Sequence, residues 1–299
     1  MQVAHTRIVR VCVYCLCTMT LLACSFKSLY NHLDIFIAEY ISDMVSLDDV
    51  LSHRVDMESI AFHDWHRKTQ LEEYATWFDA LQADVRPDIT EATVVAHLDR
   101  LETFWNTLLD RTFNESAGLI ALLDEHQQKE LFENIETKNS AFYQKYVDLT
   151  DDERVDQFID RIEDSLEPWL DDLTDKQEKL IAQLAATLKP FAAERFRERQ
   201  RWQRELLPIV KAKIPAEIKT VQLQTYFRQF AQNKNAVIDS RKAYNTQQIA
   251  HFMVQLMKSM DAEQTRYLKS RLAEYAKIFR ELAADTDQEP DAKTSETNY

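Results

Sequence analysis

A single glycine, Gly118, stands in a chain of 299 residues, and that scarcity constrains the fold more than any motif does. Hairpin turns and β-bulges place residues at positive φ, where a Cβ is penalised and glycine is the usual occupant. With one glycine, an extensive sheet has few places to turn back on itself. The long stretches between prolines are filled instead by Leu, Ala, Glu, Gln, Lys and Arg, which lose little side-chain entropy in a helix. The chain reads as all-α, with no sheet.

Apolar spacing agrees with that class. Phe26, Tyr30, Leu33, Ile37, Ile41 and Met44 recur at steps of three and four, which puts one apolar stripe along a first helix. A second run spans Leu47 to about Arg67. Leu71, Tyr74, Phe78 and Leu81 mark a third helix stopped by Pro87, and Val94, Leu98, Leu101, Trp105 and Leu108 mark a fourth. After Gly118 the pattern resumes from Asp124 to about Val147. Val155, Phe158, Ile162, Leu166 and Trp169 follow, with a break near Pro168, and Leu184 to Ile209 reads as a long helix kinked at Pro190. Two further helices cover about Ala216 to Tyr244 and Thr246 to Ala283. The expected architecture is an elongated, mainly antiparallel domain of about nine helices over residues 24–284, with room for two subdomains parting near Pro168. Short loops favour neighbours packing in sequence order. Residues 285–299 turn acidic and poor in apolar side chains, the composition of a disordered tail.

An internal echo accompanies the helix starts: Leu123-Asp124-Glu125-His126-Gln127, Leu173-Thr174-Asp175-Lys176-Gln177 and Met260-Asp261-Ala262-Glu263-Gln264. Each joins an apolar residue to a capping side chain, with a glutamine three residues after the cap. That is capping-box chemistry, in which the Thr or Asp oxygen accepts from the third helical amide and the glutamine reaches back to the cap's own amide. The motifs therefore read as helix starts. Their spacings, 50 and then 87 residues, make no regular solenoid.

The amino end carries a different signal. Arg7 and Arg10 precede an apolar run from Val11 to Leu22 that is too short to span a bilayer, which needs about 20 residues. Residues 1–23 read as a removable signal peptide, and Leu21-Leu22-Ala23-Cys24 resembles the bacterial lipobox. The resemblance implies that the Cys24 thiolate takes a diacylglyceryl group and that its freed amine takes a third acyl chain. Two or three chains, at about 0.8 kcal/mol per buried CH₂, anchor a protein durably. Ser25, rather than an aspartate, follows the cysteine, which by resemblance to diderm lipoproteins implies sorting to the outer membrane with the body facing the periplasm. Cys12, Cys15 and Cys17 leave with the signal. No thiol then remains for a disulfide, and 276 residues must fold on their apolar core alone.

Leu173-Thr174-x-x-Gln177, together with an acylated cysteine and an all-helical body, is similar to the LTxxQ-motif periplasmic stress-chaperone family. A wider resemblance, over most of the chain, is to a family of uncharacterised helical lipoproteins of Gram-negative bacteria. It rests on the lipobox followed by Ser25, Leu29-Tyr30-Asn31-His32-Leu33-Asp34, Leu47-Asp48-Asp49, and Trp65-His66-Arg67 followed by Leu71-Glu72-Glu73-Tyr74-Ala75. The resemblance implies a shared fold and address and lends no catalytic residue.

Composition removes several enzyme classes. Phosphate-cradling glycine loops and the G-x-S-x-G nucleophile elbow need several glycines, H-E-x-x-H does not occur, and no free thiol remains as a nucleophile. No catalytic, cofactor-binding or metal-binding residue is assigned, and no cofactor or small-molecule substrate is expected. His63 and His66, one helical turn apart, are the alternative: two imidazoles that a metal site would need to complete from His53, Asp56 or another helix. The competing reading makes Trp65 a core anchor and gives His66 and Arg67 polar contacts near the next turn. Arg195, Arg197, Arg199, Arg201 and Arg204 are interleaved with Phe196 and Trp202, a basic and aromatic pattern suited to an anionic ligand, but Glu194, Glu198 and Glu205 sit among them and make the stretch mostly a solvated salt-bridge face, whose local positive field still suits a polyanionic envelope partner. Loss of the signal takes away two arginines and no acid, moving the formal charge from −14 to −16. Nucleic acid is repelled by that charge. The expected role is a non-enzymatic interaction module, adaptor or chaperone-like, anchored through Cys24 and binding an envelope protein or client.

Overall fold

The computed structural model describes residues 26–232 and 235–285. The signal segment, Cys24 and the acidic tail beyond Asp285 lie outside the described residues. Among the described residues twelve helices follow one another: α1 (26–31), α2 (Leu33–Met44), α3 (Asp49–Thr69), α4 (Leu71–Asp84), α5 (Glu91–Leu122), α6 (Glu125–Tyr146), α7 (Asp151–Leu170), α8 (Asp175–Thr187), α9 (Ala192–Val210), α10 (Ala216–Gln232), α11 (Ala236–Ser259) and α12 (Ala262–Ala284). Among the described residues there is no strand.

The all-α class stands, but the count of about nine does not. His32, with ψ at 17°, interrupts the first stripe between α1 and α2. Leu184 to Ile209 is two helices, because Leu188 turns extended and the Pro190 ring disfavours helical geometry at the residue before it. In the C-terminal third α10 ends at Gln232 and α11 starts at Ala236, a second break falls at Met260-Asp261, and Asn245 lies inside α11. Asn235 caps Val237 and Ile238, and Asp261 caps Glu263 and Gln264. Side-chain capping at those two positions outweighed the uninterrupted apolar spacing across them. Pro168 does not break α7, since it sits in the last turn and the helix ends at Leu170.

The recurrent motif of apolar residue and cap is itself the connection between helices. Leu123-Asp124 is the whole link from α5 to α6, and Met260-Asp261 the whole link from α11 to α12. In each the apolar residue is extended and the next side chain caps the following helix. A helix can thus reverse without a left-handed residue, which is how the chain manages with one glycine. Among the described residues positive φ falls on Asp171, at 63°, rather than on glycine. Gly118 lies inside α5, and a Cβ added there meets nothing within 4 Å. Gly118→Ala should therefore raise stability by about 0.5–1 kcal/mol, seen as a higher urea midpoint at unchanged slope. An unchanged midpoint would mean that the glycine's freedom in the unfolded chain costs nothing.

Packing does not keep to sequence order. α4 makes its most extensive contact with α12, α5 packs on α10 and α11, α8 on α11 as well as on α7, and α6 on α9. Length is the reason for α5, whose 32 residues extend about 48 Å at 1.5 Å each. Its first turns bury Val94 against Ala250 and Val254 of α11. Its last turns bury Ala117 and Ala121 against Leu206, Val210, Leu223 and Phe227 of α9 and α10. A further core joins Leu170, Ile181, Leu184, Phe252, Leu256, Leu268 and Leu272, from α7, α8, α11 and α12.

Candidate functional site

His63 and His66 do share a face of α3, and that face is turned inward: both are buried, while Trp65 is only half-buried. The reading of Trp65 as the core anchor is thus reversed. His66 Nδ1 lies 2.8 Å from the Tyr30 hydroxyl and Nε2 lies 3.3 Å from that of Tyr74. A neutral ring satisfies both contacts when Tyr30 donates to Nδ1 and Nε2–H donates to Tyr74. Burial, then the neighbouring His63 and Arg67, push the His66 pKa down to about 4. His63 is also shifted downward, by burial and then by Arg67, against the pull of Asp34, whose Oδ1 is 3.4 Å from Nδ1. Arg67 donates to Asn31 Oδ1 at 2.9 Å and to the Leu282 carbonyl at 3.0 Å, tying α3 to α1 and α12. Burial raises the hydroxyl pKa of Tyr30, and that of Tyr74 to about 12, so both remain protonated partners.

This arrangement fits a satisfied polar core better than a metal centre. Both nitrogens of His66 face hydroxyls, and the Arg67 guanidinium stands 3.4 Å from His63 Nε2. A fixed cation there opposes a second one. Among the described residues no group of three or more His, Cys, Asp or Glu side chains is placed to hold a metal ion.

The basic stretch of α9 divides. Arg197 meets Glu194 at 3.1 Å and Arg201 meets Glu198 at 2.6 Å, each pair three residues apart on the helix. Arg195 and Arg199 instead lie over the rings of Phe191 and Phe142. The motif glutamines are also structural. Asp124 with Gln127 and Thr174 with Gln177 close complete capping boxes. Gln264 does not reach back to its own cap and pairs with Gln177 across the core. A third box, Thr150 with Glu153, follows the same rule with glutamate in place of glutamine and was legible as Leu149-Thr150-x-x-Glu153.

Two concave surfaces had no counterpart in the sequence reading. The first is a groove of about 310 Å³ among α4, α5, α7, α11 and α12, whose lining includes Trp77, Leu98, Leu101, Trp169, Met253 and Met257. Its two ionisable lining residues, Asp84 and His97, are occupied with each other at 3.0 Å. The α5 stripe that read as core leaves the core as it passes the groove: Val94 is buried, but Leu101 is 49 % and Trp105 59 % exposed. Phe104 takes the buried position instead, edge-on to Tyr74 at 4.8 Å. The second surface is a cleft of about 420 Å³ where α6, α7 and the link between α8 and α9 meet. Arg154, Phe158 and Arg161, spaced four and three apart on α7, were its available sequence signal.

Fold and surfaces define an all-helical protein whose exposed chemistry is apolar and aromatic at one concavity and cationic and aromatic at another. The chain belongs to the family of unknown function DUF6279, whose profile matches residues 43–226, more than half of its length. No curated protein and no solved structure matches it. No helix among the described residues is long and apolar enough to cross a membrane.

Proposed function

We propose that this protein is a lipid-anchored lipoprotein of the outer membrane, facing the periplasm, that acts as a non-enzymatic protein-interaction module. The observation that carries the interaction reading is the apolar groove with Leu101 and Trp105 exposed along one face of α5. A solvent-facing tryptophan one turn beyond a leucine of an apolar groove is the kind of anchor pair that partner segments bury. The two ionisable residues of the groove are paired with each other, and its apolar lining can take apolar side chains from a docked helix or an unfolding segment. The address rests on the signal-like segment and lipobox ending at Cys24. An adaptor and a chaperone differ in how many partners this surface meets.

Site-specific photocrosslinking in intact cells separates the cases. A photoreactive residue replacing Trp105 should capture envelope proteins, whereas the same residue at Lys129, an exposed position on α6, should not. Leu101→Glu should abolish the Trp105 crosslinks by placing a charge in the groove. One or two discrete products indicate an adaptor, and a broad spectrum a chaperone. Crosslinking that is the same at both positions, or absent at Trp105, would defeat the groove assignment. Mislocalisation of the Cys24→Ala protein, with loss of acyl incorporation, tests the anchor separately.

A further inference from the structure

We propose that the second cleft binds a single-chain amphiphile with an anionic head, of the fatty-acid type, taken up as a monomer. Phe142, Tyr146, Phe158 and Phe191 give the cleft half-buried aromatic surface. The charged residues of the lining are Arg154, Arg161, Lys189 and Arg195, and the lining contains no Asp or Glu. In a chain of formal charge −14, four cations facing one concavity without a carboxylate run against the composition. Among the described residues only Arg154 of the four has a carboxylate partner, the exposed Asp151 at 2.6 Å.

Ring faces hold the other cations. The Arg161 guanidinium is 5.4 Å from the Tyr146 ring centre and 5.5 Å from that of Phe158. The Arg195 guanidinium is 5.2 Å from Phe191, and the Lys189 ammonium is 3.8 Å from Tyr244. A cation on a ring keeps its charge available to an anion, unlike one already paired with a carboxylate. The link between α8 and α9 is fixed from α11: the Asn245 amide accepts from the Lys189 N–H and donates to the Lys189 carbonyl, each at 2.9 Å. Arg241 donates to the Pro190 carbonyl. The cleft is therefore formed before any ligand arrives, which lowers the ordering cost of binding.

Aromatic surface bordered by cations matches a chain bearing an anionic head. A volume of about 420 Å³ lies at the small end of ligand cavities, roughly 300–1,000 Å³, and suits one chain rather than a diacyl lipid. The acidic body opposes approach to an anionic bilayer, so a monomer is the favoured source. The cleft shares no lining residue with the groove assigned above, so either can fail without the other.

Titration calorimetry on the full chain tests this, with Cys24→Ala introduced so that no acyl group at that position competes. Sodium dodecanoate below its micellar concentration should bind one to one, about tenfold or more tighter than dodecyltrimethylammonium, and should weaken as salt is added. Arg161→Gln combined with Lys189→Gln should lower dodecanoate affinity by about tenfold and leave the ammonium surfactant unchanged. Both side chains are exposed, and near-UV circular dichroism checks the fold; if the variant does not fold, the head-group preference of the parent decides. Equal affinity for the two heads, no binding, or a preference that survives the double substitution would overturn the proposal. Binding to phosphatidylglycerol vesicles without binding of the monomer would overturn it too, in favour of a bilayer surface.

Discussion

Acidification from about pH 7 to about pH 5 is expected to remove roughly 2 kcal/mol of folding stability through His66 alone. In the unfolded chain this histidine takes up a proton near its ordinary value of 6.5; in the folded chain it does so only near 4. Between those limits the unfolded state binds the extra proton, so the contribution is complete above 6.5, falls as pH is lowered, and levels off below about 4. The geometry explains the resistance to protonation. A charged ring would donate from both nitrogens and leave the Tyr30 proton without an acceptor, beside the Arg67 guanidinium, whose carbon lies 5.1 Å from the Tyr30 ring centre. His63 shifts in the same direction and should add to the effect, with Asp34 and Asp64 opposing. Urea unfolding of the parent and of His66→Gln at several pH values isolates the term, because carboxylate titrations common to both cancel in the difference. That difference should shrink with acid. A gap constant from neutral pH to about 5 would show that His66 is protonated in the folded protein as readily as in the unfolded one.

That prediction depends on contacts the sequence could not supply. Spacing alone put His63 and His66 on one face of a helix, and the structure keeps them there. It did not say that Tyr30 of α1 and Tyr74 of α4 would close over His66, because those partners lie 36 and 8 residues away in sequence. Trp105 and Phe104 show the same limit at a finer scale. Both suit an amphipathic stripe, and the choice between them was made by Tyr74 and Trp77, which surround Phe104. Local chemistry was more readable than long-range pairing: Asp124 and Thr174 cap their helices as their motifs imply. At Asp261 the sequence carried two conflicting statements, a cap and a continuous apolar period, and the cap prevailed. The groove and the cleft each draw on helices distant in the chain, and no single helical stripe contains them.

Replacing either member of the Gln177–Gln264 pair is expected to cost about 2–3 kcal/mol, with a cost for the double replacement well below the sum. Gln177 is fully buried and Gln264 is 7 % exposed. Each amide donates to the other's oxygen, at 2.8 and 3.0 Å, across 87 residues of sequence. The Gln177 oxygen also accepts from Thr174 N–H at 2.9 Å, and the Gln264 amide also donates to the Asp172 carbonyl at 2.8 Å. The pair therefore joins the start of α8 to the start of α12 and fixes the approach to the core formed by Ile181, Leu268 and Leu272. Gln264→Leu leaves a Gln177 donor buried without an acceptor, and that desolvation penalty, more than the lost bond, sets the cost. Once one amide is gone, removing the second relieves the penalty, so Gln177→Leu should cost about 1–2 kcal/mol less in the Gln264→Leu background than alone. Urea midpoints for the four proteins close the cycle. Additivity within about 0.5 kcal/mol would mean that each glutamine serves only its own helix start, and that α8 and α12 are held together by apolar packing.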